Sequence, residues 1–366
     1  MSAVGRSLRA AGRDSRLLLP LAVLGLIFLF DFIFIPGFFE MEIRQGHLYG
    51  SLIDILRNSA PIILLAIGMT VVIATGGVDL SVGAVMAISA SVAAILIDPR
   101  KVGLTLSGDI TAVVGDPTYS FMPLPVVIVV AMLAALLCGI WNGALVAYVR
   151  IQPMVATLIL MIAGRGIAQL STNSIKINIF NDAFAFLGNG FVLLLPFSLF
   201  AVLAVFLGSW LLLRRTALGL FVESVGVSSR ASLYAGINEK RIKMFAYVFC
   251  ALCAGIAGLI AVSSIRTSDA NVIGLYTELD AILAVVIGGT VLGAGGRFSL
   301  LGSVLGALVI QATMTSMYHI GVPASAITVV KAIVVVIVIV LYSEQARAFI
   351  GQALGRTRTR KQSVPA

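Results

Sequence analysis

The sequence predicts an all-α membrane protein with about ten transmembrane helices and both termini in the cytoplasm. Of its 366 residues, 60% are hydrophobic and only 11% are charged, whereas about a quarter of the residues of a soluble domain are charged. Apolar runs long enough to cross a bilayer recur along the chain. Short basic clusters separate these runs, as the orientation rule for membrane proteins predicts. The net charge of +9 therefore reflects membrane orientation, and we expect no nucleic-acid partner.

Ten apolar segments come close to the roughly 20 residues that a helix needs to cross the bilayer. The first follows four arginines and resembles a signal peptide, but no small-residue cleavage site comes after it. We therefore expect this helix to be retained, with Asp31 near the outer membrane surface, where a charge is tolerated. The predicted spans are residues 17–36, 58–75, 81–97, 124–149, 154–172, 191–213, 244–264, 281–296, 298–317 and 325–342.

The distribution of basic residues supports this count. With the N-terminus inside, 17 of the 25 basic residues fall in cytoplasmic segments. Removing one span would reverse the orientation of everything after it and would move the basic segment 214–243 to the outside. We therefore expect a basic cytoplasmic tail at 1–16, a transmembrane domain at 17–342 that contains the cytoplasmic loop 214–243, and a second basic cytoplasmic tail at 343–366.

A glycine break joins the second and third predicted spans, in the sequence ATGGVDLSVG at 74–83. Two adjacent glycines disfavour a helix, and the backbone groups that they free are tolerated at membrane depth only where protein or water satisfies them. This predicts part of a translocation path. The alternative is a tight cytoplasmic turn in which Asp79 or Ser81 caps the third span, and both interpretations can hold together. The candidate path residues here are Thr75, Gly76, Gly77, Asp79 and Ser81.

A second glycine break, IGGTVLGAGGRF at 287–298, separates two short apolar segments. Paired, glycine-interrupted segments in the two halves of a transporter indicate a substrate path, so Gly288 and Gly289 are candidates. The alternative is close helix packing, since Gly302 and Gly306 have the four-residue spacing typical of helix contacts. The chain contains no phosphate-loop motif of the form GxxxxGK[ST].

The cytoplasmic segment 214–243 has a pattern of local structure. Residues 218–225 place apolar side chains at helical spacing, and Gly226 is expected to end that helix. Ser228 suits the N-cap of a second short helix, Gly236 suits the left-handed position after it, and Asn238 can cap the next span. This pattern indicates a docking element for another subunit, and the alternative is a loop that only fixes orientation. The candidate docking residues are Glu223, Gly226, Arg230 and Gly236.

Polar residues within the spans are candidates for cargo contacts. Amide side chains both donate and accept hydrogen bonds, which suits a neutral polyhydroxylated solute, although each of them can instead join two helices. Acidic residues do not occur in series through the spans, which argues against a proton or sodium relay; Asp79 is the acidic candidate near a break. We expect no catalytic residue and no metal site. The candidate cargo residues are Asn142, Thr157, Gln169 and Gln311.

Three segments of the chain, at 68–87, 151–166 and 278–298, resemble ATP-binding cassette (ABC) permeases of the ribose/xylose/galactose class. The first segment reads GMTVVIATGGVDLSVGAVMA. The resemblance extends from about residue 50 to 342. Within the class, the chain is most similar to galactofuranose-type permeases, notably in AIGMT at 66–70.

The resemblance implies a multi-pass subunit of an importer in the bacterial inner membrane. Its partners would be membrane lipids, an ABC ATP-binding subunit, a periplasmic or lipid-tethered sugar-binding protein, and a second permease, identical or homologous. ATP and magnesium would bind to the ATPase rather than to this chain, which would not itself be an enzyme. The cargo would be galactofuranose, galactose or a related pentose or hexose. The competing hypothesis is an ion-coupled secondary sugar transporter that works without an ATPase.

The resemblance also places the coupling helix of the family in the loop between spans six and seven. Residues 223–237 stand in that place, and they depart from the common pattern at Ser224, Ser228 and Ser229. Docking is therefore expected, with the choice of ATPase left open. The polar segment 98–123 is longer than the family leads us to expect, and it either contacts the binding protein or varies freely.

Overall fold

The computed structural model divides into two compact units, Met1–Thr313 and Met314–Ala366. Most of the predicted tenth span, the C-terminal tail at 343–366 and nearly all of the loop 98–123 lie outside the described residues. The described residues are 3–44, 46–98, 120–291, 295–323, 325–327 and 329–333.

The described part of the chain is predominantly α-helical, which confirms the predicted class. The helices are α1 (Ala3–Phe34), α2 (Ser51–Ala74), α3 (Val82–Ile97), α4 (Leu124–Ala144), α5 (Pro153–Ser171), α6 (Asp182–Asn189), α7 (Phe197–Arg215), α8 (Leu218–Val227), α9 (Ser229–Tyr234), α10 (Glu239–Ile265), α11 (Thr277–Ile287) and α12 (Leu300–His319). A π-helical turn, Leu145–Val149, continues α4. The α1 backbone continues without interruption from the predicted tail into the first span.

Among the described residues, six short strands form three antiparallel pairs, β1–β2, β3–β6 and β4–β5. The pair β3–β6 joins the segment after α5 to the segment after α10. The strands are β1 (Glu42–Arg44), β2 (His47–Tyr49), β3 (Ile177–Asn178), β4 (Phe191–Val192), β5 (Leu195–Pro196) and β6 (Thr267–Ser268).

Among the described residues, seven helices are long and apolar enough to cross a membrane. This number confirms a multi-pass membrane protein. Two further apolar helices, α3 with 16 residues and α8 with 10, are shorter than a full span. The seven candidate spans are Leu17–Phe34, Ser51–Ala74, Leu124–Val149, Pro153–Ser171, Phe197–Arg215, Glu239–Ile265 and Leu300–His319.

Two predicted spans differ from the observed helices. In place of a helix over 191–213, residues 191–196 form the β4–β5 hairpin and α7 begins only after Pro196, because proline provides no backbone N–H donor and commonly precedes or opens a helix. In place of a helix over 281–296, α11 ends at Ile287, because Gly289 adopts a left-handed conformation with φ +83°. Apolar composition alone does not reveal either boundary.

The buried centre of the first unit is formed by α2, α3 and α10, and α4 packs against α10. Small residues allow this close packing: Gly68 lies against the Cys250 backbone and Gly258 against Met86. By contrast, α1, α4, α5 and α7 leave most of their apolar side chains at the surface of the chain. Such surfaces suit lipid or another membrane subunit rather than water.

Candidate functional site

The first glycine break is buried among helices, beside the first turns of α10. Gly77 packs against the hydroxyl of Tyr247, which lies eight residues beyond the start of α10, or about 12 Å along the helix axis. The Tyr247 hydroxyl donates to the carbonyl oxygen of Val78 at 3.5 Å. Asp79 is only 1% exposed. The break therefore interrupts the backbone within the bundle, as the path hypothesis requires.

The same break leads into α3, where Asp79 bonds to the N-cap residue, although Ser81 itself makes no side-chain capping bond. Asp79 Oδ1 accepts hydrogen bonds from the backbone N–H of Ser81 at 2.9 Å and from its hydroxyl at 2.6 Å. Ser81 occupies the N-cap position. A carboxylate at a helix N-terminus is stabilised by the unpaired amides and by the helix dipole. The two interpretations of this segment, a buried break and a helix cap, thus describe one structure.

Two candidate cargo residues hold neighbouring helices against this break. Asn142 on α4 donates from Nδ2 to the Ser81 hydroxyl at 2.8 Å, and Thr157 on α5 accepts from the Leu80 N–H at 3.1 Å. Both side chains are buried. Within the described ranges, Asn142 Oδ1 is buried without a hydrogen-bond partner. In this conformation both residues join helices, and their contact with cargo stays a prediction.

The other two candidate cargo residues lie elsewhere. Gln169 is twelve residues beyond Thr157 on α5, about 18 Å along the axis, and its Nε2 donates to Asn271 Oδ1 at 2.9 Å. Gln311 is buried on α12. The structure therefore brings Asn142 and Thr157 together but keeps Gln169 apart from them.

The two glycine breaks and α8 meet at one point, here called the glycine junction. Gly296, in the second break, donates its N–H to the carbonyl oxygen of Ala74 at the end of α2, at 2.8 Å. Gly226 on α8 packs directly against both groups, and a Cβ at this position would overlap the Ala74 oxygen and the Gly296 nitrogen. Gly295, with φ +58°, lies against the Gly226 backbone. Three segments that the sequence singled out separately are thus in direct backbone contact.

The second break also packs α11 tightly against α12. Gly288 lies against the backbone of Gly302, and Gly306 lies against the carbonyl of Ala284. Thr70 on α2 donates to the Ser303 hydroxyl at 2.7 Å and so ties α12 to α2. The predicted close packing of Gly302 and Gly306 is confirmed, and the helix break at Gly288 and Gly289 is present as well.

The local structure of the loop 214–243 follows most of the sequence predictions. Ser228 caps α9 by accepting from the Ala231 N–H at 3.2 Å. Gly236 has φ +80°, as the left-handed position requires, and Asn238 caps α10. Gly226 differs from its prediction, because α8 continues through it to Val227. Of the other docking candidates, Glu223 is half-buried and Arg230 is exposed.

A cavity of about 670 Å³ lies between α8–α9, the first break, the residues after the π-helical turn and the start of α10. Arg150, Arg230 and Lys243 line it, together with Glu239, which pairs with Lys243 at 3.0 Å. Because this side of α8–α9 borders a cavity rather than a packed core, the helix pair can shift without compressing its neighbours. The loop therefore contacts the helix bundle through the Gly226 backbone and buried α8 side chains on one side and borders a cavity on another.

Comparison with known proteins identifies the family. A family model described as the permease component of branched-chain amino acid transport systems matches residues 51–341. The chain belongs to this permease family. The matched range is nearly the range over which the sequence resembles the ribose/xylose/galactose class.

Several curated relatives of this permease cover most of its length. It is 45% identical to the galactofuranose transporter permease protein YtfT of Escherichia coli (strain K12), over 93% of both chains. It is 37% identical to the fructose import permease protein FruF of Bifidobacterium longum (strain NCC 2705), over 81% of this chain and 79% of the relative. It is 33% identical to the ribose import permease protein RbsC of Escherichia coli (strain K12), over 84% and 87%. These matches confirm the resemblance to sugar permeases, including the galactofuranose type; no solved structure matches the chain significantly.

Proposed function

We propose that this permease is the membrane-spanning subunit of an ABC importer for a monosaccharide. It would translocate sugar delivered by a binding protein, using ATP hydrolysed by a separate subunit. The glycine junction carries the proposal, since a helical segment suited to docking another subunit touches both interruptions of the membrane helices. The names of the relatives support the cargo class: galactofuranose, galactose or a related pentose or hexose.

The proposal includes ten membrane crossings, with both termini on the cytoplasmic side of the bacterial inner membrane. The ends of α2 and α7 and the start of α10 all contact α8, which supports one common side for these ends. The β3–β6 pair groups the ends of α5 and α10 in the same way. The side bearing α8 carries the basic clusters, and basic clusters stay in the cytoplasm.

The importer would contain partners that supply what this chain lacks. A second permease, identical or homologous, would complete the membrane domain, and ABC ATP-binding subunits would hold ATP and magnesium. A periplasmic or lipid-tethered binding protein would deliver the sugar, and membrane lipids would cover the remaining apolar surfaces. The apolar surfaces of α1, α4, α5 and α7 support such contacts.

In the proposed mechanism, closure of the ATP-binding subunits moves the coupling segment at 217–236. The Gly226 backbone passes this movement to Ala74 and to Gly296, because the three groups are in direct contact. The two breaks allow the short helices beside them to tilt, which alternates an outward and an inward opening. Thr75, Gly76, Gly77, Asp79, Ser81, Gly288 and Gly289 would serve as the flexible parts of the path.

Reconstitution in sealed vesicles tests this function. Uptake of a monosaccharide is expected only when the permease, its ATPase, the binding protein and ATP are all present. ATPase carrying an inactivating substitution is the matched control and should abolish uptake. Uptake that persists without the ATPase and follows an ion gradient would overturn the proposal in favour of a secondary transporter.

A further inference from the structure

The connection between α10 and α11 folds back into the helix bundle. The backbones of Gly274 and Gly83 touch, and a Cβ on either would overlap the carbonyl oxygen of the other. Gly83 is the second residue of α3, which continues for another 14 residues, or about 21 Å. Ala270 packs with Ala168 of α5. Gly274 therefore lies well within the bundle, whereas Asp269 follows β6 directly and Ala270 lies near the end of α5.

This turn carries polar side chains that bond to α5. Gln169 donates to Asn271 Oδ1 at 2.9 Å, and Asn271 donates from its backbone N–H and from Nδ2 to Asp269 Oδ1, at 2.9 and 3.0 Å. We name Gln169, Asp269 and Asn271 the amide–carboxylate cluster. Arg165, one turn before Gln169, donates to the carbonyl oxygens of Ala270 and Ile273, at 3.0 and 2.5 Å. The guanidinium thus fixes the turn on α5.

The cluster is accessible at the surface of the chain. Asn271 is exposed, and Gln169 and Asp269 are partly exposed. In the part of the chain that the structure describes, no hydrogen bond engages Gln169 Oε1 or Asp269 Oδ2. Irregular backbone and polar groups at membrane depth do not face lipid but line a water-filled cavity or another protein. Gln169 lies two residues before the end of α5 and Asp269 directly follows β6, so these accessible polar groups stand at the outer end of the bundle, above the turn that enters it.

We propose that the amide–carboxylate cluster selects the sugar on the outward half of the translocation path. Hydroxyl groups of the cargo donate to Gln169 Oε1 and to the Asp269 carboxylate, which the remaining bonds hold in place. Arg165 is a positioning residue, because it holds the turn and leaves the cluster to bind the cargo. The inference rests on the proposed sugar import and adds Asp269 and Asn271 to the predicted path residue Gln169.

Selectivity of the complete importer tests the cluster. Permease, ATPase and binding protein are reconstituted, and ATP-driven uptake of D-galactose, D-ribose, D-fructose and D-xylose is compared. Because one hydrogen bond to a charged group corresponds to about a tenfold change in binding, Asp269→Asn and Asn271→Ala should change the preference between at least two of these sugars about tenfold. Unchanged sugar preferences in both variants would overturn the role of the cluster.

Asp182→Asn is the matched control. Asp182 is an exposed carboxylate that pairs at 2.8 Å with Arg266, the residue directly after α10. Because Asp182 lies outside the cluster, this substitution should leave the sugar preferences unchanged. The two proposals fail differently in this experiment. ATP-independent uptake by the unsubstituted chain contradicts the import mechanism, whereas ATP-driven uptake with unaltered preferences in the cluster variants contradicts only the selecting site.

Chemical labelling provides a second measurement on the folded importer. Asn271→Cys, combined with Cys138→Ser, should react with a water-soluble maleimide in the reconstituted complex. Loaded binding protein and ATP, which drive sugar through the path, should slow this reaction, and the binding protein without sugar should not. Failure of the cysteine to react, or equal rates with and without sugar, would overturn the proposal.

Discussion

At the scale of single residues, Gly226 determines how closely the cytoplasmic loop approaches the membrane helices. Its Cα faces the Ala74 carbonyl oxygen and the Gly296 N–H, which bond to each other at 2.8 Å. A side chain here must displace at least one of three backbone segments. Gly226 lies inside α8, where any residue can adopt the backbone angles. Glycine is therefore required here because Ala74 and Gly296 approach so closely.

Gly226→Ala is expected to uncouple the importer. The added methyl group separates α8 from the two breaks, and such overpacking costs about 1–3 kcal/mol. ATP hydrolysis should then continue while sugar uptake falls, as measured in proteoliposomes that contain the complete importer. Gly208→Ala on α7, where a Cβ has nothing within 4 Å, is the control and should keep normal uptake. Normal uptake by Gly226→Ala would contradict the role of the junction.

At the scale of secondary-structure elements, buried polar bonds hold α4 and α5 to the start of α3. Asn142 on α4 donates to the Ser81 hydroxyl, and Thr157 on α5 accepts from the Leu80 N–H. Both helices are therefore bonded to the non-helical segment between α2 and α3. Inside a membrane protein such bonds join helices because hydrocarbon offers no alternative partner. The Leu80–Ser81 end of the break is therefore held from two sides, and these bonds do not involve Gly76 or Gly77.

Asn142→Leu tests whether this bond is structural or contacts cargo. Loss of the bond leaves the Asp79–Ser81 pair with one donor fewer and should lower the free energy of unfolding by about 1–3 kcal/mol. Thermal unfolding of the detergent-solubilised permease measures this loss of stability. Ile140→Leu, on the exposed side of α4, is the control. A variant of unchanged stability that loses uptake would instead place Asn142 in contact with cargo.

At the scale of the whole molecule, successive helices end on alternate sides of the bundle. The proposed importer requires this arrangement. The first break and the start of α10 both contact α8, so they lie on the same side of the bundle. The strand pair β3–β6 joins the segments that follow the opposite end of α10. The proposed ten crossings would bring both termini to the side of α8, where the ATPase would bind.

Cysteine accessibility in intact cells tests this topology. Thr216→Cys, between α7 and α8, should react only after the membrane is made permeable, whereas Asn178→Cys, in β3, should react with a maleimide added outside. Reporter fusions at the two termini should both indicate a cytoplasmic location. Termini on opposite sides would exclude ten crossings, and reaction of Thr216→Cys from outside would invert the proposed orientation.

Much of the helical structure could be predicted from the sequence because its signals are local. Apolar composition predicts the membrane class, and neighbouring residues decide the caps at Ser228 and Asn238 and the left-handed Gly236. Boundaries were less certain where an apolar run contains a turn. The hairpin before α7 and the end of α11 at Ile287 are the two examples.

By itself, the sequence determined that this is a membrane protein. It also determined the positions of the two glycine breaks and the presence of ordered structure in the loop 214–243. Only the tertiary structure decided that the two breaks and Gly226 touch, that Asn142 bonds beside Asp79, and that the turn at 269–276 enters the bundle. The physical reason is distance along the chain. Helix periodicity and caps depend on residues within a few positions, whereas Ala74, Gly226 and Gly296 meet only because the helices between them pack.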